Sequence, residues 1–238
     1  MIKVAALTSY SSEPLDKKIR DLASHGQTLL DLYCFCPNDL PSLSTRTSHS
    51  AWPRRILQQL TPDKAAAKLR AMCDEAAEKA NTRRIDICGL ASFLPDISLP
   101  DKASTLNPNG RTVTIQVLQR LLDFMAALRR KRFACRVLEL VAGHTVVRAD
   151  GRLQEGRPVL KLLDENACYE ALGDSLQKLV DYRSRVFPED PPALAIELEP
   201  GACLLRDWRS LEKLLQVVKS LPLTGVNVDI GHMIILGL

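Results

Sequence analysis

No stretch of the chain approaches the roughly 18 uninterrupted apolar residues that a membrane-spanning helix needs, so no membrane association is expected. A basic leader followed by a long apolar core is also missing: Met1-Ile-Lys-Val-Ala-Ala-Leu7 enters a strand-like run at once. The cysteines at 34, 36, 73, 88, 135, 168 and 203 form no Cys-x-x-Cys pair. Their odd number and apolar settings, as in Leu32-Tyr-Cys-Phe-Cys36, read as reduced core thiols in a reducing compartment. A cytoplasmic protein is expected from these absences. Excess charge of one sign is scarce too, since 32 Lys and Arg stand against 28 Asp and Glu for a net +4. The longest basic cluster, Arg129-Arg-Lys-Arg132, falls at the end of a predicted helix, where it complements the helix dipole, and no nucleic-acid partner is expected.

What is present is ordinary globular composition, 46% apolar and 25% charged. At 238 residues the chain fits one α/β barrel, a fold that starts at about 200 residues, or one open-sheet domain. Apolar runs predict strands at 2–8, 29–36, 84–90 and 133–141, then at 193–201 and 225–232. Helical spacing predicts helices between them: 14–24 ending near Gly26, one opened by Thr61-Pro62-Asp63, one from 111 or 112 to 130, one capped by Asp164, and 207–221. Residues 37–60 hold three prolines and read as a long mouth loop containing Trp52. Ala149-Asp-Gly-Arg152 reads as the turn of a small hairpin inside an insertion. No linker divides the series, so residues 1–238 are expected to form one domain, a parallel sheet covered by helices. Thr8-Ser-Tyr-Ser-Ser-Glu13 contains no glycine, which removes the dinucleotide fingerprint and favours a (β/α) barrel over an open sheet.

The most informative stretch is the last fifth. Ala193-Leu-Ala-Ile-Glu-Leu-Glu-Pro-Gly201 and Gly225-Val-Asn-Val-Asp-Ile-Gly-His232 are two strands, each bringing acids to its end, with a helix between. Parallel strands joined in this way place their carboxyl ends on one rim. Glu199, Asp229 and His232 then gather hard oxygens and an imidazole, the donor set of a divalent-metal site. A solvated acid before a Pro-Gly turn and an Asp serving as a helix N-cap are the plainer readings of Glu199 and Asp229.

These residues, Leu198-Glu-Pro-Gly201 and Gly225-Val-Asn-Val-Asp-Ile-Gly-His232 above all, resemble the xylose-isomerase-like TIM-barrel superfamily and its sugar phosphate isomerases and epimerases. The likeness is most specific over residues 165–235; upstream it rests on element order and on Val137-Leu-Glu-Leu-Val-Ala-Gly143. It implies a divalent ion, Mn, Mg, Co or Zn, held by Glu199 and Asp229, with Glu199 and His232 as catalytic groups. It further implies proton transfer beside the carbonyl of a sugar or sugar phosphate, with the enediolate stabilised by the ion. His144, Glu139 and Trp52 are the candidate substrate contacts, and Arg148 and Arg152 candidates to meet a phosphate.

The family barrel has eight strands, and its metal site is completed by a His from strand seven and a Glu from strand eight. Six strands are counted here, so this chain is expected to lack strands seven and eight and to be truncated and inactive alone. An open barrel exposes strand edges, and a homo-oligomer is expected to cover them. A non-catalytic scaffold derived from the barrel is the alternative. An apurinic endonuclease of the endonuclease IV type is disfavoured: that class carries histidines at the ends of strands two and three, where this chain has Tyr33-Cys-Phe-Cys36 and Cys88-Gly-Leu-Ala91.

Overall fold

The computed structural model describes residues 5–8, 13–34, 52–100, 110–154, 157–201, 203–219, 221 and 225–227. Six strands form one parallel sheet in the order β1 (Ala6–Leu7), β2 (Leu29–Tyr33), β3 (Asp86–Ser92), β4 (Val137–Val141), β7 (Ala193–Glu197) and β8 (Gly225–Asn227). This is the expected α/β architecture. An antiparallel pair, β5 (Val146–Gln154) and β6 (Arg157–Leu162), stands outside that sheet. The helices are α1 (Leu15–Ser24), α2 (Trp52–Gln59), α3 (Pro62–Lys79), α4 (Gly110–Arg130), α5 (Glu165–Val186) and α6 (Trp208–Val217). None of the helices described is long and apolar enough to cross a membrane. Packing groups the chain into two compact units.

The first unit comprises residues 1–93, 117–139 and 183–193. Its core is aliphatic, with Ile19, Leu30, Leu32, Leu69, Ile87 and Leu121 all fully buried. Helices α1, α3 and α4 leave through the same device. Gly26, Asn81 and Arg132 take left-handed backbone (φ 77°, 49° and 62°). In each case the next N–H reaches back across the last turn: Gln27 to the Leu22 carbonyl, Thr82 to Ala77 and Phe133 to Leu128, at 3.0, 3.0 and 3.1 Å. Otherwise orphaned carbonyls are satisfied, and the chain is turned into the following strand. Buried Lys18 donates from Nζ to the Thr8 carbonyl (2.7 Å), while the Thr8 hydroxyl accepts the Tyr33 N–H (2.9 Å), tying α1 and β2 to the end of β1.

Two sequence expectations change. Residues 52–59, read as loop, form helix α2. Ile56 and Leu60, four apart, are fully buried, and Pro53 sits in the first turn, where proline breaks no helical hydrogen bond. Trp52 is therefore the first residue of a helix and not a mouth-loop residue. Thr61 does occupy the N-cap of α3 with Pro62 following, yet its hydroxyl makes no capping bond. The basic cluster does fall at the end of α4, as expected, and two of its members find partners there: Arg129 donates to the Cys135 and Asp190 carbonyls and lies 4.9 Å from the Phe187 ring centroid, and Arg130 pairs with Asp63 at 2.6 Å.

The second unit comprises residues 94–116, 140–182 and 194–238. Asp164 caps α5 as expected, accepting from the Asn166 N–H at 2.9 Å. Asp207 and Ser210 form a reciprocal capping box that starts α6. Glu165 accepts from Arg206 (3.0 Å) and lies 3.6 Å from Lys213 Nζ, joining the first turn of α5 to α6 and the loop before it. The hairpin is present, but its turn is not at Ala149–Arg152. Arg148 pairs with Leu160 and Leu153 with Pro158, so those four residues stand opposite one, as a bulge, and the chain reverses between Gln154 and Arg157.

Two predictions arise in the first unit. A Cβ at Gly89 would lie 2.5 Å from Asp31 Oδ1 and 3.1 Å from the Val137 carbonyl. Gly89→Ala is expected to cost about 1–3 kcal/mol in urea unfolding. Burial raises the Asp31 carboxyl above its usual range, against a smaller lowering from the Cys88 S–H that donates to it at 3.4 Å. A carboxyl whose folded pKa is raised stabilises the fold least when ionised: the penalty is absent below the unfolded pKa and grows as pH rises through the folded one. Asp31→Asn is expected to raise the thermal midpoint at pH 7 and to give no gain at pH 3, measured by calorimetry.

Candidate active site

Strand β7 alternates cleanly. Leu194, Ile196 and Leu198 are 0–3% exposed and share one face of it. Ala195 and Glu197 take the opposite face, and Glu199 continues it one step past the strand end. Glu197 is buried at 8% exposure, and Glu199, at the carboxyl end, is half-buried. The apolar and acidic residues of this run thus separate onto two faces for a single geometric reason, the two-residue period of a strand.

After Glu199 the chain folds back on itself. Gly201 adopts φ +93°, a conformation that Pro200-Gly201 supplies without strain, and the Glu199 N–H donates to the Leu205 carbonyl at 2.9 Å. This loop is pinned to the end of β4. Leu204 N–H donates to the Gly143 carbonyl (2.8 Å), His144 and Cys203 form an antiparallel bridge, and the Tyr169 hydroxyl donates to the Leu204 carbonyl (3.3 Å). The side chains meet as well, with Cys203 Sγ 3.5 Å from His144 Nδ1. Burial pushes the Cys203 thiol up to about 11, with further contributions from the negative charges of Glu199 and Glu197. Both carboxylates therefore act electrostatically on the thiol, which stays protonated at neutral pH.

The structure places Glu199 and His144 in the same unit, at the ends of β7 and β4. Asp229 and His232 lie outside the described residues, as do Tyr10 and His49. Glu139 is half-buried within β4, and its carbonyl accepts the Ser92 hydroxyl at 2.8 Å. Arg148 and Arg152 fall in β5. Among the described residues, no three His, Cys, Asp or Glu side chains gather closely enough to hold a metal ion. Of the described groups, Glu199 has the hard-oxygen chemistry that suits Mn or Mg, whereas the protonated Cys203 thiol is not a donor as it stands. The residue the sequence reading passed over is Cys203. It was read as a core thiol, and its burial fits that, but its pairing with His144 arises from two segments 59 residues apart.

No family model matches the sequence, and no curated protein matches it. Solved structures do match in fold. A 3-keto-D-glucoside 4-epimerase from E. coli aligns over 99% of this chain and 71% of its own, with a TM-score of 0.57 at 11% identity. A putative sugar phosphate isomerase/epimerase from Anabaena variabilis aligns over 98% of this chain and 66% of its own (TM-score 0.55, 16% identity). An AP endonuclease of family 2 from Brucella melitensis aligns over 98% and 70% (TM-score 0.51, 15% identity). The chain thus spans about two thirds of the length of these proteins, and at such identities the likeness is one of fold.

A buried, protonated thiol should react slowly. Cys203, 3% exposed, is expected to be alkylated by iodoacetamide at pH 8 at least tenfold more slowly in the folded protein than in urea, read by peptide mass spectrometry.

Proposed function

We propose, from the xylose-isomerase-like barrel fold that this chain has, that it serves a sugar or sugar-phosphate isomerase or epimerase reaction, in which a proton is moved next to a carbonyl. The supporting observation is Glu199: a carboxylate at the carboxyl end of a parallel strand, where this barrel class builds its chemistry, with its backbone held by the Leu205 carbonyl and its neighbour Glu197 buried on the same strand face. A divalent ion held by Glu199 and Asp229 would supply charge neutralisation at the enediolate oxygens. The described residues do not by themselves complete such a site.

The part this chain's own groups play is positional and acid–base. Glu199 takes a proton from carbon next to a carbonyl and returns it in this reading. His232, five residues beyond the end of β8, is proposed as the second catalytic group, and His144 as a sugar contact. A second copy of the chain is proposed as the partner that covers the edge of the sheet.

The fold likeness to the AP endonuclease does not extend to strand-end chemistry. β2 runs out at Tyr33-Cys34 and β3 at Ala91-Ser92, with no imidazole at either position.

The test separates metal binding from proton transfer. Mn2+ titration of the chain is expected to show affinity that falls at least tenfold in Glu199→Gln and in Asp229→Asn. Solvent deuterium incorporation beside the carbonyl of a keto-sugar is expected to fall about 10²-fold or more in Glu199→Gln. Unchanged Mn2+ affinity and unchanged exchange in both variants would overturn the reading.

A further inference from the structure

Strand β2 alternates as β7 does. Leu30 and Leu32 are fully buried on one face, and Leu29, Asp31 and Tyr33 take the other, half-buried. On the adjacent strand Gly89 stands beside the acid: a Cβ there would lie 2.5 Å from Asp31 Oδ1, 3.1 Å from the Val137 carbonyl and 3.5 Å from Val137 Cβ. The missing side chain leaves a depression on β3, between Asp31 of β2 and Val137 of β4, all within the first unit. Val137 is 36% exposed, so the depression is not sealed. A glycine inside a strand is a recurrent mark of close approach by a ligand or another backbone.

The carboxyl has no counter-charge. Among the described residues no Lys, Arg or His pairs with Asp31, and its side-chain hydrogen bond comes from the Cys88 thiol at 3.4 Å, a weak donor that also reaches the Leu30 carbonyl at 3.3 Å. The titratable neighbours on β3 and before β4 are thiols that burial keeps protonated, Cys88 being pushed up to about 12 and Cys135 raised as well, so neither supplies charge. A partly desolvated carboxylate without a cation destabilises the fold, and an amide of the same shape would not carry that penalty. Perturbed groups of this kind concentrate at binding sites.

We propose that Asp31 is the anionic contact of a binding site on the sheet face formed by β2, β3 and β4, and that the site takes the ammonium group of a small ligand, an amino sugar. The sugar part rests on the function proposed above; the ammonium contact does not. An ammonium returns the missing charge to a half-desolvated carboxylate, where the attraction is stronger than in water, whereas a hydroxyl offers a hydrogen bond alone. Gly89 leaves room beside the carboxyl, and Val137 offers apolar surface to the ligand's carbon skeleton.

The test is a carboxyl ¹³C titration by NMR, with the Asp31 signal identified by its loss in Asp31→Asn, a variant of the same shape. Saturating D-glucosamine is expected to lower the Asp31 midpoint to or below the ordinary value of about 3.9, and glucose and N-acetylglucosamine to leave it raised. By calorimetry at about pH 6, where the carboxylate of an ordinary Asp is ionised, D-glucosamine is expected to bind at least tenfold more tightly than glucose, a difference that Asp31→Asn removes. Should neither sugar bind, benzylammonium is the probe: a lowered Asp31 midpoint sustains the ammonium contact and counts against the sugar reading alone. A midpoint unmoved by both amines, or a preference for D-glucosamine that survives in Asp31→Asn, overturns the proposal. A midpoint that falls with protein concentration and no ligand assigns the carboxylate to a cation of a second copy, and overturns it too.

Discussion

Parallel pairing is the constraint on which the rest of the structure depends. A strand that must run beside its predecessor in the same direction has to be brought back along the sheet first, and a helix is the compact way to do it. Each return ends in a sharp change of direction. At the exits of α1, α3 and α4 a left-handed residue, Gly26, Asn81 or Arg132, makes that turn, and a backbone bond across the final helical turn satisfies what would otherwise be a buried, unpaired carbonyl. Only the first of the three is glycine. Asn81 and Arg132 bear the steric cost of left-handed backbone, about 1–2 kcal/mol, which the surrounding bonds offset.

The same pairing puts the functional atoms where they are. Parallel strands share one rim for their carboxyl ends, and a two-residue period decides which side chains face which way. In β7 this separates the aliphatic Leu194, Ile196 and Leu198 from the acids Glu197 and Glu199. The loop after β7 then turns at Gly201 and is fastened to the end of β4 by backbone bonds. The backbone at this site is thus held by main-chain pairing.

Charge is arranged with the same economy. The Arg129–Arg132 cluster sits at the end of α4, where cations complement the helix dipole. Arg129 stitches the end of α4 to Cys135 and Asp190, and Arg130 reaches Asp63. These two cations also meet carbonyls and carboxylates brought close by the fold.

The alternation of strands and helices, the acids at the end of β7 and the Asp164 cap were all legible because each depends on residues within a few positions of one another, where periodicity and capping rules operate. The helix at Trp52–Gln59 was legible in principle from Ile56 and Leu60, but prolines nearby hid a two-turn element whose stability comes from burying those two side chains. The bulge at Ala149–Arg152 was misread as a turn because Asp-Gly satisfies either, and only the pairing partner decides. The contact of Cys203 with His144 had no local signal at all. The sequence by itself determined the fold class and the strand that carries Glu199, since both follow from short-range pattern. Tertiary structure alone decided which thiol meets which imidazole, since that contact is set by the register of strands far apart in the chain.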